Sequence, residues 1–297
     1  MKLTSKVTVN ILTNNGASYI QELDVTHFPT GEIMAHLSPE CVRFCQENGG
    51  NMKAVVYVTQ GFCKDLLFKI ALAKEAVTTL IPVGNVTHAL IMAYLPNARY
   101  DRHMFEGDAA ALKVFANMIN SMGFDAVSCF DAHSNVAENL FPAFREMSQA
   151  EILADGKEVI YQKRYNFLVA PDAGASKKIH KVSEVLGIPY ITMHKHRDVK
   201  TGEITGISVL DKEDLTGKTV LIVDDICDGG RTFVEAAKVL RENGANVVDL
   251  CVTHGIFSAG VERLFEGGID TIYTTDTLGS FEERGFANNP RMKMLGQ

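Results

Sequence analysis

No two cysteines in this chain are spaced C-x-x-C, although there are six of them: Cys41, Cys45, Cys63, Cys129, Cys227 and Cys251. A thioredoxin-like redox pair or a zinc ribbon is therefore excluded, and most of these residues stand in apolar runs. They read as reduced, mostly buried thiols of a reducing compartment. Cys41 and Cys45 have no second pair of soft ligands nearby and are assigned to core packing. Long apolar runs are missing too. The longest, near Ala89–Leu95, is too short to cross a bilayer, and Met1–Ile20 has no apolar core of a signal peptide. A cytoplasmic protein with no membrane partner is expected. An excess of positive charge is also lacking. The formal net charge is −7, which argues against nucleic acid as a general partner. Low-complexity segments and sequence repeats are not seen, and 46% hydrophobic content in 297 residues is that of one large or two ordinary folded domains.

What is present centres on residues 219–232. Thr219–Val223 reads as a buried strand. Asp224 and Asp225 follow at its carboxyl end, where open α/β sheets bind ligands. Then come Asp228, Gly229, Gly230, Arg231 and Thr232, and a helix with Phe233, Ala236, Ala237 and Leu240 on one face. Two glycines before a helix let backbone N–H groups converge on an anion, aided by the helix dipole. Thr232 adds a hydroxyl and Arg231 a cation, while the two acids suit sugar hydroxyls. The run fits a phosphorylated sugar, with its diol on the acids and its phosphate on the loop. It is neither G-x-G-x-x-G nor the lysine-containing nucleotide loop.

The rest of the chain repeats a strand–loop–helix plan. Strands are expected over residues 1–30 with a turn at 14–16, then at 53–59, 79–83 and 89–93. A turn stands at Phe28-Pro-Thr-Gly-Glu32 between two short strands. A helix is expected over Asp65–Glu75. Another spans Asp108–Met122, its apolar face drawn through Ala110, Val114, Met118 and Met122. Between them, Arg99, Arg102 and His103 follow an apolar strand as a set of phosphate-binding cations. A strand at 126–130 runs into Asp131-Ala-His-Ser134. Residues 143–165 are polar, and the domain boundary is placed at 142/143. A strand at 166–170 leads into the small-residue loop Pro171-Asp-Ala-Gly-Ala-Ser176 at a helix start, again suited to an anion. After a strand at 190–193, residues 194–206 read as a long basic loop of the kind that closes over a site. A strand at 246–253, a short helix at 261–265 and a strand at 271–275 precede a polar tail, Ser280–Gln297.

Val223-Asp-Asp-Ile-Cys-Asp-Gly-Gly-Arg-Thr232 resembles the ribose-5-phosphate loop of the type I phosphoribosyltransferase fold. Taken with Phe28-Pro-Thr-Gly-Glu32, Asn97-Ala-Arg-Tyr-Asp101, Asp131-Ala-His133, Pro171-Asp-Ala-Gly174 and His194-Lys-His-Arg197, in that order, the chain is similar to the ribose-phosphate diphosphokinases over residues 28–277. The resemblance implies an α/β protein of two phosphoribosyltransferase-like domains, 1–142 and 143–297, each a mostly parallel sheet flanked by helices. It implies ATP and ribose 5-phosphate as substrates and Mg²⁺ as cofactor.

By the same resemblance, Phe28, Thr30, Gly31 and Glu32 of a neighbouring subunit hold ATP together with Arg99, Tyr100 and Asp101. His133 and Asp172 hold the metal, and Asp172, Ala173 and Gly174 form the pyrophosphate loop. Lys195 and Arg197 are catalytic. Arg197 also joins Asp224, Asp225, Asp228, Gly229, Gly230, Arg231 and Thr232 around ribose 5-phosphate. A homo-oligomer with its active site at a subunit interface follows. The sequence departs from the family pattern at Thr30, where Asp is usual, at Tyr100, where Gln is usual, and at Arg231, an extra cation expected to tighten ribose 5-phosphate binding. The stretch before Phe28 lacks the family's early helix, and the tail after Thr277 lacks its closing strand and helix. A salvage phosphoribosyltransferase and a non-catalytic regulatory homologue are the alternatives. Phe28–Glu32 and Arg99 argue against the first, and the retained Lys195, Arg197, His133 and Asp172 against the second.

Overall fold

The computed structural model of the chain describes residues 4–81, 84, 86–172, 174–197, 204–209 and 213–296, with the backbone alone for 177, 195–197, 204–207 and 209. The chain divides into two compact units, Lys2–Met147 and Ser148–Gln297.

In the first unit β1 (Ser5–Thr13) buries every second residue, as a strand does when one face meets a core. The turn at residues 14–17 returns it into antiparallel β2 (Ser18–Glu22). β3 (Asp24–His27) and β4 (Ile33–His36) form a separate two-stranded hairpin. Ser38 caps α1 (Pro39–Asn48), its hydroxyl accepting from the Cys41 amide at 3.1 Å, and the helix buries Cys41 and Cys45. Then follow β5 (Met52–Gly61), α2 (Leu66–Thr78), β6 (Thr87–Met92), α3 (Ala111–Ser121), β7 (Ala126–Phe130) and β8 (Arg145–Met147). The sheet order is β2-β1-β5-β6-β7-β8. The pairings from β5 to β8 are parallel, the arrangement that helical crossovers impose.

Two expectations fail in this unit. Residues 79–81 are not a strand: the chain turns there after α2, with the Thr79 amide donating to the Glu75 carbonyl at 3.2 Å. Residues 82 and 83 lie outside the described residues. The apolar set expected on α3 also divides: Ala110 is buried and Met122 packs against the core, but the two residues between them do not. Val114 and Met118 are exposed, and the core face is Leu112, Phe115, Ala116 and Ile119. Both stripes recur at helical spacing, and the sheet decides which is covered. The helix starts late because the Asp108 carboxylate accepts from the Met104 and Phe105 amides and closes a turn instead.

The second unit opens with α4 (Gln149–Asp155), α5 (Lys157–Ile160) and β9 (Phe167–Ala170). Much of the polar stretch 143–165 is therefore structured. Ser148 and Glu151 make a reciprocal capping box on α4. α6 (Ser176–Leu186) ends at left-handed Gly187. It is followed by β10 (Tyr190–Arg197), β11 (Ile204–Val209), β12 (Thr219–Cys227), α7 (Arg231–Glu242), β13 (Val247–Gly255), α8 (Glu262–Glu266), β14 (Ile272–Thr274) and β15 (Met292–Met294). The sheet order is β11-β10-β9-β12-β13-β14-β15, parallel except for β10 with β11. β12 and β13 are buried almost throughout, as expected of parallel strands covered by helices.

Two further expectations change here. The basic segment from His194 is not a loop at its start. It continues β10 and pairs antiparallel with β11, Lys195 opposite Ile207 and Arg197 opposite Ile204. Residues 198–203 lie outside the described residues. The tail does contain a closing strand: β15 pairs in parallel with β14, and Phe281, Phe286, Met292 and Leu295 are buried. Four apolar residues spaced widely among polar ones give no period, so only packing reveals them. Among the described residues, no helix is long and apolar enough to cross a membrane.

Candidate active site

At the carboxyl end of β12 three acids lie close together. Asp224 is half-buried and Asp225 buried. Burial pushes the Asp224 carboxyl up to about 8, and the charges of Asp225 and Asp172 push in the same direction. The Asp225 amide donates to the Asp224 carboxylate at 2.9 Å. Asp172 comes from the loop after β9, where its carboxylate accepts from the Ala175 amide at 3.1 Å and shapes the turn into α6. Lys178, in the first turns of α6, donates to Asp225 at 2.9 Å. Asp225 thus pairs with Lys178, and Asp225, Asp172 and Lys178 are all near enough to Asp224 for their charges to act on it. With Asp224 largely protonated near neutral pH, Asp172 and Asp225 still outweigh the one cation, which suits sugar hydroxyl donors. Lys178 escaped the sequence reading. Its signal was a lysine in the helix after a small-residue loop. Gln149 was missed as well: buried at the start of α4, its amide donates to the Asp224 carbonyl at 2.5 Å and to Thr253 at 3.2 Å.

The loop beyond these acids is built by two glycines of different kinds. Gly230 has φ +77° and caps α7. A Cβ there would stand 2.8 Å from Leu264 Cδ2. At Gly229 a Cβ would meet only Ser258 Oγ at 4.0 Å. One glycine is demanded by the fold, and the other keeps the face beside the helix N-terminus bare. Asp228 is half-buried, as is Thr232 in the first turn. Arg231 is exposed and its Nε donates to Glu235 at 2.7 Å, so the extra cation carries its own counter-charge. The Gly174 backbone is exposed beside Asp172, Ala173 lies outside the described residues, and so do the side chains of Lys195 and Arg197.

The first unit holds its own cluster at the ends of β6 and β7. Asn97 and Asp131 have φ of +62° and +37°, uncommon for residues other than glycine. Arg99 and Tyr100 are exposed. Asp101 is gripped by the Arg102 guanidinium through bonds of 2.6 and 2.8 Å and by the Ser134 hydroxyl. The hydrogen bond from Arg102 leads the causes that hold its carboxyl down at about 2, and the charge of exposed His133 adds to them. Asp101 therefore ties the loop after β6 to the loop after β7. At the tip of the β3–β4 hairpin Phe28 is 43% exposed, Gly31 is left-handed, and the Thr30 hydroxyl donates to Glu32 at 2.9 Å. His27, just before it, is bound to Asp65 at 3.2 Å. His133 belongs to the first unit and Asp172 to the second. Among the described residues no group of three or more His, Cys, Asp or Glu could hold a metal ion.

A ribose-phosphate pyrophosphokinase of Sulfurisphaera tokodaii is 33% identical over 202 residues, 67% of this chain and 68% of that protein. The chain belongs to the ribose-phosphate pyrophosphokinase family. A second member, from Pyrococcus furiosus, is 27% identical over 264 residues, 87% of each protein. The family profile described as phosphoribosyl transferase domain matches residues 138–274. The fold agrees with the crystal structure of phosphoribosylpyrophosphate synthetase from Mycobacterium smegmatis. The TM-score is 0.73 at 23% identity, covering 92% of this chain and 85% of that one. For a ribose-phosphate pyrophosphokinase the strand-end acids and the glycine-capped loop lie on the phosphoribosyl transferase portion of the chain, and the Asp101 cluster lies outside it.

Proposed function

We propose that this protein transfers the diphosphoryl group of ATP to the C1 hydroxyl of ribose 5-phosphate, giving phosphoribosyl pyrophosphate and AMP. The observation that carries this reading is the pairing of Asp224 and Asp225 with the left-handed Gly230 cap, on a chain of this family. The C1 oxygen attacks the β-phosphorus, the bond from that phosphorus to the α,β-bridging oxygen breaks, and AMP leaves. The hydroxyl proton passes to solvent. Positioning and charge neutralisation supply the rate, since phosphoryl transfer asks little covalent work of a protein.

The 5-phosphate sits on residues 228–232, where the amides before α7 and the Thr232 hydroxyl donate to it. Asp224 and Asp225 accept from the ribose diol and so aim C1. The loop of Asp172, Ala173 and Gly174 receives the diphosphate. Lys195 and Arg197, brought by β10, neutralise the transferring group, and Arg197 also reaches ribose 5-phosphate. Arg99 and Tyr100 hold ATP, Asp101 fixes their loop, and the hairpin residues Phe28, Thr30, Gly31 and Glu32 of a neighbouring subunit complete the nucleotide site in a homo-oligomer. Hard carboxylate oxygens in excess over cations fit Mg²⁺, which takes one or two carboxylates and leaves its other positions to water and phosphate. Asp172 is the donor in the second unit and His133 lies beside the nucleotide elements of the first. Bound Mg²⁺ would supply charge neutralisation on the phosphates.

Incubation with ATP and ribose 5-phosphate, with AMP and phosphoribosyl pyrophosphate both measured, tests the reading. Ribose-dependent AMP is the expected result, and its absence refutes the assignment. Replacing Lys195 by Ala lowers turnover by about 10²–10³, the usual cost of a lost transition-state donor; wild-type turnover would remove Lys195 from catalysis.

A further inference from the structure

The loop after β13 touches the phosphate loop directly. The Phe257 amide donates to the Cys227 carbonyl at 3.0 Å and the Ser258 amide to the Asp228 carbonyl at 3.2 Å. Phe257 itself has φ +51°. A phenylalanine holds that conformation only where its surroundings fix it. Here they do. Its ring packs edge-on to Phe286 at 5.8 Å, and Phe281 does the same to Phe286 at 5.6 Å. The ring also lies over Gly255, where a Cβ would come within 2.2 Å of it.

Arg284 completes this arrangement from the carboxy-terminal segment. It is 8% exposed, and its Nη2 donates to the Ile256 carbonyl at 3.1 Å. Its guanidinium carbon lies 4.7 Å from the Phe286 ring centroid and 5.7 Å from that of Phe257. Nε and Nη1 have no hydrogen-bond partner among the described residues. Burying a guanidinium with one such bond is unfavourable by itself. The one hydrogen bond it does make goes to the turn before Phe257, and the planar, stacking guanidinium can grip the carbonyl and both rings at once where an ammonium cannot.

We infer that Arg284 is a positioning residue for ribose 5-phosphate: through Ile256 and Phe257 it holds the loop after β13 against Cys227 and Asp228 and so sets the shape of the phosphate loop. The inference rests on the proposed role of residues 228–232 as the 5-phosphate site. It assigns the segment from Ser280 onward a part in substrate binding, exerted through the turn that Arg284 grips.

The test compares wild type, Arg284→Met and Arg284→Lys as full-length proteins. Calorimetry measures ribose 5-phosphate binding without ATP, and kinetics give KM for each substrate. Arg284→Met is expected to weaken ribose 5-phosphate binding about tenfold, with KM for ATP within about twofold of wild type, the scale of one lost charge-assisted hydrogen bond. Arg284→Lys, which keeps the charge and loses the fork, is expected to be about threefold weaker. If Arg284→Met does not fold, the lysine variant decides alone. Wild-type ribose 5-phosphate affinity in either folded variant overturns the inference, as does equal weakening toward both substrates. Wild-type protein that binds no ribose 5-phosphate refutes the proposed function, and this inference with it.

Discussion

Gly229 and Gly230 are adjacent, and the structure predicts opposite consequences for the same substitution. Gly230→Ala places a Cβ 2.8 Å from Leu264 Cδ2, at φ +77°. Leu264 is 1% exposed within a packed core, so its methyl can shift only by displacing its neighbours. The left-handed backbone costs an alanine about 1–2 kcal/mol, and overpacking a filled core adds about 1–3 kcal/mol. The expected loss is therefore about 2–5 kcal/mol, a large part of the ~5–15 kcal/mol that stabilises a domain. For a unit of this size that lowers the melting temperature by about 5–15 °C. Gly229→Ala meets only Ser258 Oγ at 4.0 Å and has no left-handed φ, so stability stays within about 0.5 kcal/mol. Its new methyl group covers the bare face on which the proposed site seats the 5-phosphate. Losing one or two charge-assisted bonds there weakens ribose 5-phosphate about 10–100-fold. Urea denaturation and calorimetry on the two variants separate the effects. Full stability in Gly230→Ala would refute the steric argument, and wild-type affinity in Gly229→Ala would show that phosphate does not approach that face.

Asp224 ionises with difficulty, so its sign is that of a group with a raised folded pKa. The stability it contributes is present below its unfolded value near 3.8 and is lost as pH rises through about 8. Asp224→Asn should therefore melt higher than wild type at pH 8.5, by an amount on the order of 1–3 kcal/mol, and match it more closely at pH 5, while losing ribose 5-phosphate binding. His88 is 2% exposed, its Nδ1 bonded to the Tyr57 hydroxyl at 3.1 Å and its Nε2 without a partner among the described residues. Burial lowers its pKa, followed by the charge of Lys74. Stability is lost as pH falls through the unfolded value of 6.5 and below, and urea midpoints at pH 7 and pH 5 should converge in His88→Gln. The exposed Arg231–Glu235 pair limits the reach of the extra cation. Arg231→Gly should raise KM for ribose 5-phosphate no more than about threefold, as expected for a solvent-screened charge.

Local chemistry was legible where the chain writes it in consecutive residues. Thr219–Val223 and residues 126–130 are apolar enough to be strands in any context, and the turns at 14–16 and 28–32 carry their own glycines. α7 displays its buried face, Phe233, Ala236, Ala237 and Leu240, without ambiguity because no second apolar stripe competes. α3 carries two stripes, and periodicity does not say which side the sheet covers. Residues 194–206 carry the charges of His194–Arg197 and the glycines Gly202 and Gly206, a loop-like composition that hides the end of β10 and the start of β11, while an edge hairpin is set by backbone pairing across the sheet rather than by apolar pattern.

The candidate site divides in the same way. The motifs named Asp172 in one short loop and Asp224, Asp225 and residues 228–232 in another, since each motif is contiguous in the chain. Lys178 beside Asp225, Gln149 beneath Asp224 and Ser134 on Asp101 are separated from their partners by 47, 75 and 33 positions. Hydrogen bonds across such distances depend on which strands become neighbours. By itself the sequence determined the family, the α/β plan and the acidic, glycine-capped loop, because each is encoded by short-range pattern. The tertiary structure decided which glycine the core requires, how far Asp224 resists ionisation and why a buried arginine near the end of the chain supports the loop, because packing and burial exist only once distant segments meet.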